Sequence, residues 1–232
     1  MTILVLMPTY NEVGVLESSI EQVLAQKLDL EILVIDDNSP DGTGVVAEDL
    51  SLKHSRVSVL HRNHKQGLGK AYIAGFEWAI EQGFDFVVQM DADGSHRPSD
   101  LEKLTREAHS NRLVIGSRWT PGGKVENWPW FRRVISRAGN FYARKMLSST
   151  VKDMTAGFRC YPTALLQAFP LEKVQAHGYG FQVEMTLLCQ DRGVEIVEVP
   201  IIFVERVKGK SKMTYGIVLE AFWLCTKWRF RR

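Results

Sequence analysis

Short apolar runs alternate with stretches of helical periodicity in the first half of the chain, and this alternation constrains the fold more than any other feature. The apolar runs predict strands over residues 2–10, 31–37, 57–62 and 84–93. Between them, apolar residues at helical spacing predict helices over residues 12–26, from about 43 to 53, and over 69–82. Strands joined by helices imply right-handed crossovers and a parallel α/β sheet with helices on both faces.

The pattern changes after residue 110. Further strands are predicted over residues 112–118, 157–162 and 193–206, the last one long and alternating. Residues 120–133 predict a loop rich in Gly, Pro and Trp, and a helix then runs to about Leu147. We therefore expect a mixed, mostly parallel sheet whose second half serves a different ligand from the first.

Composition places few limits on the partners of this chain. Its 232 residues are 45% hydrophobic and 24% charged, and no linker or repeat divides them, which favours a single domain. The net charge is only +2, and no known nucleic-acid motif occurs, which argues against nucleic acid as a partner. Cys160, Cys189 and Cys225 match neither a disulfide framework nor a metal motif, which is typical of a reducing compartment.

The two ends of the chain predict no membrane span. The N-terminal residues lack the apolar core of a signal peptide, and no run of about 18 apolar residues occurs. Residues 215–228 are amphipathic and are followed by further Arg residues. They predict either a helix on a membrane surface or a terminal helix packed on the core, and the pattern does not choose between these.

Polar clusters follow three of the predicted strands. They are Thr9–Glu12, Asp36–Asp41 and Asp91–His96. In open α/β sheets, ligands bind beyond the carboxyl ends of the strands. The three clusters are therefore expected to form one rim.

Asp91 and Asp93 carry the sharpest chemical signal at this rim. Two carboxylates at close range disfavour joint ionisation unless a cation lies beside them. Oxygen ligands suit Mg²⁺ or Mn²⁺, which often bridges substrate phosphates. The alternative is a pair of turn-capping aspartates.

Tyr10 and Glu12 have the chemistry to bind a nucleoside through ring stacking and hydrogen bonds, and a carboxylate of Asp36 or Asp37 could accept hydrogen bonds from a base edge or a ribose. Part of the same segments has a structural explanation. Pro8 is expected to end the first strand and Asn11 to cap the next helix. The alternative for the second segment is an Asx turn, to which Asn38, Ser39, Asp41 and Gly42 contribute.

The second half of the chain contributes basic residues. Ser136 lies one turn beyond Arg132 on the same helical face, and the other basic residues are Arg118, Arg133, Arg206 and Lys212. Arginine suits bidentate recognition of phosphate, although each of these residues alone could be a surface charge. With the acidic pair they predict two phosphate-bearing ligands. Nearby aromatic residues are expected either to meet a lipid or to fold into the core: Trp119, Trp128, Trp130 and Phe131.

These motifs together resemble the family-2 inverting glycosyltransferases of the GT-A (Rossmann-like) fold, and more closely the polyprenyl- and dolichyl-phosphate mannosyltransferases. The likeness runs over about residues 3–215, through "PTYNE", "VIDDNSPDGT", "GLGKA", "MDADGSHRP", "GSR", "NWPW", "TAGFR", "GYGFQVEM" and "VPIIFVERVKGKSKM". "DGSH" and "NWPW" are most similar to the actinobacterial polyprenol monophosphomannose synthases.

The resemblance implies a role for each matching residue. The nucleoside would lie among Pro8, Tyr10, Glu12, Ile35 and Asp37. The donor and the metal would contact Asp91, Ala92 and Asp93, and donor or acceptor phosphates would contact Arg118, Arg206 and Lys212. The lipid phosphate would contact Arg118, Arg132 and Ser136, and the catalytic set would be Asp91, Asp93 and Arg206. Some relatives place a metal-binding Gln where this chain has Ser95, so water is the alternative ligand there.

The implied reaction is inverting transfer of mannose from GDP-mannose to a polyprenyl phosphate. A phosphate oxygen is already anionic, so no side-chain base is required, in keeping with the absence of a catalytic Ser or His motif. The alternatives are a UDP-glucose donor, a polysaccharide acceptor or a nucleotide-sugar-binding module without turnover.

The implied location is the cytoplasmic face of a membrane, reached through the tail or an integral-membrane partner. Residues 1–110 would form the nucleotide-sugar half, 111–213 the acceptor half and 214–232 a basic amphipathic tail.

Overall fold

The computed structural model describes residues 1–174, 176, 178–205 and 223–230. The strands are β1 (Ile3–Thr9), β2 (Glu31–Asp36), β3 (Val57–His61), β4 (Phe86–Gln89), β5 (Arg112–Ser117), β6 (Lys124–Glu126), β7 (Arg159–Pro162), β8 (Glu195–Pro200) and β9 (Ile202–Val204). The helices are α1 (Leu16–Leu24), α2 (Thr43–Lys53), α3 (Leu68–Glu81), α4 (Leu101–Arg106), α5 (Trp130–Met146), α6 (Thr163–Gln167) and α7 (Gly178–Asp191). Residues 223–230 are also helical.

The main sheet has seven strands in the order β3-β2-β1-β4-β7-β5-β8. β7 runs antiparallel to its neighbours β4 and β5, and every other pair in this sheet is parallel. The predicted mixed, mostly parallel sheet is confirmed. β1, β2 and β4 lie side by side, so their carboxyl ends form one continuous edge.

Both faces of the sheet are covered, as expected for strands joined by helical crossovers. Alternate residues of β1 point to opposite sides, because side chains alternate along a strand. Val5 packs in the core that includes residues of α1, α2 and α4, and Leu6 packs in the core that includes residues of α3, α6 and α7. Gly75 of α3 lets the helix approach the sheet closely, since a Cβ atom there would lie 2.8 Å from a Leu6 side-chain carbon.

The prediction of one long strand over residues 193–206 is wrong, because this segment contains two strands that belong to two different sheets. β8 pairs with β5 as far as Pro200, and β9 pairs with β6 in a separate two-stranded sheet. Pro200 has no N–H, which favours a break in the ladder at this point. β6 lies within the segment that the sequence analysis assigned to a loop.

Two predictions for the start of the chain are also wrong. β1 agrees with the predicted strand over residues 2–10, but Pro8 does not end it. Pro8 lies beyond Leu6, where pairing with β4 stops, so its missing N–H breaks no bond to β4, and the strand continues beside β2 to Thr9. Asn11 does not cap α1, which begins at Leu16 rather than at residue 12. Asn11 instead adopts a positive φ of 59°, and its backbone N–H donates to Oγ of Ser39.

In the part of the chain that the structure describes, no helix combines the length and the apolar character needed to cross a bilayer.

Candidate active site

Asp91 and Asp93 lie just beyond the carboxyl end of β4, as the sequence predicts. Asp93 is buried, and its Oδ1 accepts the backbone N–H of Ser95 at 3.0 Å, so it closes the turn as well as supplying a carboxylate. The side chain of Asp91 is 33% exposed and opens to the rim. Turn capping therefore explains part of the role of Asp93, and the Asp91 carboxylate is the more exposed of the two.

Two buried residues set the position of Asp91. Nδ1 of His96 accepts the backbone N–H of Asp91 at 3.0 Å, and the hydroxyl of Tyr72 donates to Oδ1 of Asp91 at 3.4 Å. Burial, together with the negative charge of Asp91, raises the pKa of Tyr72 well above its usual value, so the phenol keeps its proton. Nothing local in the sequence indicates these roles of Tyr72 and His96, although His96 lies within the "DGSH" segment.

The residues at this turn fit a hard divalent cation that takes further ligands from a substrate. Within the described residues, no group of three or more His, Cys, Asp or Glu side chains forms a metal cage. A cation bound through one or two carboxylates, substrate phosphates and water suits such a site. Oγ of Ser95 is buried, and no described residue accepts or donates a hydrogen bond there. Asp91 and Asp93 are the side chains that would hold the cation.

The residues expected around a nucleoside lie at the ends of β1 and β2, where Pro8 is in register with Ile35. Tyr10 is half-buried, and the ammonium of Lys65 lies 3.8 Å from the centre of its ring. The Ile35 side chain is fully buried in the core, so a ligand at the rim would meet its backbone.

Glu12 and Asp37 lie at the same edge and are held by neighbouring polar groups. The backbone N–H of Glu12 donates to Oγ1 of Thr43 at 2.9 Å. Asp37 pairs with Arg62, and burial raises the Asp37 pKa by more than this guanidinium lowers it. The carboxylate of Asp36 accepts both the backbone N–H and the hydroxyl of Ser39, three residues on. The expected Asx turn is made by Asp41, whose Oδ1 accepts the backbone N–H of Thr43 at 3.0 Å.

Arg118 and Arg132 lie together around Trp128, and Ser136 lies one turn beyond Arg132 on α5. The guanidinium carbons of Arg118 and Arg132 lie 5.6 and 4.2 Å from the centre of the Trp128 ring. Asn140 of α5 links Ser136 to Thr155, because its Nδ2 donates to the carbonyl of Ser136 and to Oγ1 of Thr155. Thr155 in turn accepts from Nη2 of Arg118 at 2.9 Å.

Each of the two arginines is paired with a carboxylate. Arg118 is bound by Asp153, which is fully buried. Arg132 is bound by Glu205, which is 27% exposed. Neither carboxylate was recognised in the sequence, because both lie far from their arginines along the chain. Arg206 and Lys212 lie outside the described residues.

Of the two alternatives for the aromatic segment, Trp128 follows the one in which the ring folds into the core. Its side chain is only 6% exposed, and its ring packs edge-on against Phe203 at 5.5 Å. Phe203 also packs against His96 at 5.4 Å, so one aromatic row joins the acidic turn to the two arginines. Trp130 and Phe131, in contrast, are exposed.

The sequence over residues 4–169 matches glycosyl transferase family 2. Over 228 residues the chain is 48% identical to undecaprenyl-phosphate mannosyltransferase of Micrococcus luteus, covering 98% of this chain and 94% of the relative. It is 44% identical to polyprenol monophosphomannose synthase of Mycolicibacterium smegmatis, covering 98% and 87% of the two chains.

A solved structure supports the fold independently. Glucosyl-3-phosphoglycerate synthase from Mycobacterium tuberculosis, in complex with Mn²⁺, UDP and glucosyl-3-phosphoglycerate, superposes with a TM-score of 0.73 over 97% of this chain and 79% of that one. The two sequences are only 20% identical, so this likeness concerns the fold alone. The resemblance inferred from the motifs is confirmed, and the chain belongs to glycosyl transferase family 2.

Proposed function

We propose that this protein transfers mannose from GDP-mannose to a polyprenyl phosphate, with inversion, to give a polyprenyl β-mannosyl phosphate and GDP. The observation that carries the proposal is the aromatic row of His96, Phe203 and Trp128, which joins the acidic turn to the paired arginines. Family-2 relatives named as polyprenol and undecaprenyl-phosphate mannosyltransferases support the same choice of substrates.

The donor would occupy the nucleotide-sugar half, residues 1–110. Its nucleoside would lie among Pro8, Tyr10, Glu12 and Asp37, and its diphosphate beside Asp91 and Asp93. A bound Mg²⁺ or Mn²⁺ would neutralise charge on the departing diphosphate. The hydrogen bond from the backbone N–H of Asp91 to His96 holds the turn, and the one from the Tyr72 hydroxyl to Oδ1 of Asp91 orients the carboxylate before the donor arrives. Arg206 and Lys212 would contact phosphates in the same reaction.

The acceptor would occupy the half formed by residues 111–213. Arg132 and Ser136 present their side chains from one face of α5 and would bind the lipid phosphate, with Arg118 beside them. The attacking atom is a phosphate oxygen that is anionic at neutral pH, so the chain needs only to orient it towards the anomeric carbon. The electrostatic complementarity of the arginines to a phosphate supplies that orientation.

The exposed face of α5 supports peripheral attachment to the cytoplasmic face of a membrane. Trp130, Phe131, Val134 and Ile135 are exposed there. The helix carries five Arg or Lys residues and no Asp or Glu. Beside it lies a cleft of about 360 Å³, whose lining combines aromatic and basic side chains: Trp119, Trp130, Lys124, Arg133 and Arg137. Apolar side chains flanked by cations are typical of helices that lie in an anionic membrane interface.

The test is transfer of radiolabel from GDP-mannose to a polyprenyl phosphate in detergent micelles. Acid-labile label should appear in the organic phase, and it should depend on both substrates. UDP-glucose serves as the competing donor, and a polysaccharide as the competing acceptor. Equal transfer from UDP-glucose would show that the donor is wrong. Binding of GDP-mannose without any turnover would favour a non-catalytic module.

A further inference from the structure

The ion pair between Arg132 and Glu205 lies at the centre of the expected acceptor site. Nη1 of Arg132 donates to both carboxylate oxygens of Glu205, at 2.5 and 2.6 Å. The side chains are 15% and 27% exposed. The backbone of Glu205 is fixed separately, since its N–H donates to the carbonyl of Glu126 at 3.1 Å. Rotation of the Glu205 side chain alone would therefore open the pair.

The neighbouring pair of Arg118 and Asp153 is built differently. Asp153 is fully buried and accepts from Nε, from Nη2 and from the backbone N–H of Arg118. Its own backbone N–H donates to Glu198. Breaking a buried ion pair of this kind is strongly destabilising, because an uncompensated buried charge remains. The Arg118 pair is thus a permanent part of the fold, and the Arg132 pair is the exchangeable one.

Glu205 also engages only one of the guanidinium nitrogens of Arg132, Nη1. An arginine fork binds two oxygens of an oxyanion through separate nitrogens, whereas both oxygens of Glu205 contact Nη1. Nε of Arg132 is shielded from solvent, and no described residue accepts a hydrogen bond from it. The same holds for the indole Nε1 of Trp128, whose ring lies 4.2 Å from the guanidinium carbon. These buried donors indicate that a further oxyanion belongs here.

We propose that Glu205 is a placeholder for the phosphate of the acceptor. Its carboxylate holds Arg132 in the free enzyme, and a phosphate monoester displaces it. This inference rests on the proposed function, in which the acceptor is a prenyl phosphate. A phosphate monoester has three terminal oxygens and carries more charge than a carboxylate, so it can engage Nε as well as Nη1. The carboxylate must leave when the phosphate arrives, because two anions repel at this distance. Glu205 thereby selects a dianionic headgroup over a monoanion or a neutral prenol.

Binding of farnesyl phosphate by the full chain, without donor, tests the proposal by titration calorimetry. Glu205→Gln keeps the size of the side chain and removes its charge. If Glu205 occupies Arg132 in most free molecules, its removal should tighten apparent binding about fivefold or more. The KM for prenyl phosphate should fall in parallel, while kcat changes less than about twofold, since only binding competition is removed. Glu205→Asp should shift binding in the same direction but less.

The matched control is Glu126→Gln, which removes a carboxylate paired with Arg97 at 2.5 Å on the adjacent strand. It should leave farnesyl phosphate binding unchanged. Unchanged or weaker binding by Glu205→Gln, with wild-type binding intact, would overturn the placeholder role and leave Glu205 as a support for Arg132. If the wild-type chain binds no farnesyl phosphate, the proposed function and this inference both fail.

Discussion

His96 accepts the backbone N–H of Asp91 at 3.0 Å while its ring lies 4.9 Å from the ring of Phe158. His96→Phe would preserve the ring stacking but would remove the acceptor of that partly buried N–H, at a cost of about 1–3 kcal/mol. We expect His96→Phe to lower kcat/KM for GDP-mannose about 10- to 100-fold, since each 1.4 kcal/mol is a factor of ten.

The matched control for this variant is His109→Phe. His109 also accepts a backbone N–H through Nδ1, from Asn111, but it lies outside the site. Its replacement should leave kcat/KM unchanged. Full activity of His96→Phe would show that the Asp91 turn holds its shape without this hydrogen bond.

The acidic pair should be required for turnover and for binding of the cation. We expect Asp91→Asn and Asp93→Ala each to lower kcat by at least about 100-fold, because a lost electrostatic contact to the departing group costs about 3 kcal/mol. Calorimetry with Mn²⁺ and GDP should show weaker metal binding in both variants, and a chelator should abolish transfer by the wild-type chain. Asp49→Asn on the exposed face of α2 is the control. Undiminished turnover of Asp93→Ala would remove the metal role.

Trp128 and Trp130 should have separable roles although they are two residues apart. Trp130 is 76% exposed, so Trp130→Ser should weaken binding to anionic vesicles with little effect on unfolding. Trp128 is buried between the two arginines, so Trp128→Ser should lower the free energy of unfolding by about 3–5 kcal/mol. Vesicle flotation and urea titration measure the two effects. Unchanged flotation of Trp130→Ser would mean that α5 does not contact the membrane.

Arg159 should be essential for stability rather than for chemistry. It is fully buried and donates to the carbonyls of Met154, Ala156 and Gln182, which joins the loop before β7 to α7. Arg159→Met would leave these buried carbonyl acceptors without hydrogen-bond donors, which lowers the free energy of unfolding by about 1–3 kcal/mol for each. We expect urea denaturation to show a loss of at least about 3 kcal/mol. Arg112→Met, which breaks partly exposed ion pairs, should cost less than about 1 kcal/mol. Equal losses in the two variants would contradict this assignment.

The three cysteines should be unreactive in the folded protein. Burial raises the pKa of Cys160 and of Cys189 to about 12 and that of Cys225 to about 11, against an ordinary value of 9.0. Burial favours the neutral thiol in the folded state. The stability that the protonated thiols contribute is therefore fully present below pH 9.0, the ordinary pKa, and is lost as the pH rises towards the raised pKa of the folded state. A thiol reagent at pH 8 should label none of them before unfolding and all of them after. Rapid labelling of Cys225 would mean that residues 223–230 leave the core.

The sequence predicted most of the sheet because strand and helix periodicities are local properties. The runs at residues 31–37 and 57–62 became β2 and β3 almost without change. The split between β8 and β9 was missed, because alternation continues across Pro200 and nothing local shows that the ladder changes partner there. The sequence also did not decide whether Trp128 is buried, since its burial depends on Phe203 and on Arg118, which are distant in the chain.

The order of apolar and polar residues was enough to predict a mostly parallel α/β sheet with acids at the end of β4, at the ligand-binding edge, and the motifs added the resemblance to family 2. Only the tertiary structure decided which groups meet them. His96, Asp153 and Glu205 acquire their roles through contacts made across the folded chain, and the burial that separates a permanent ion pair from an exchangeable one exists only after folding.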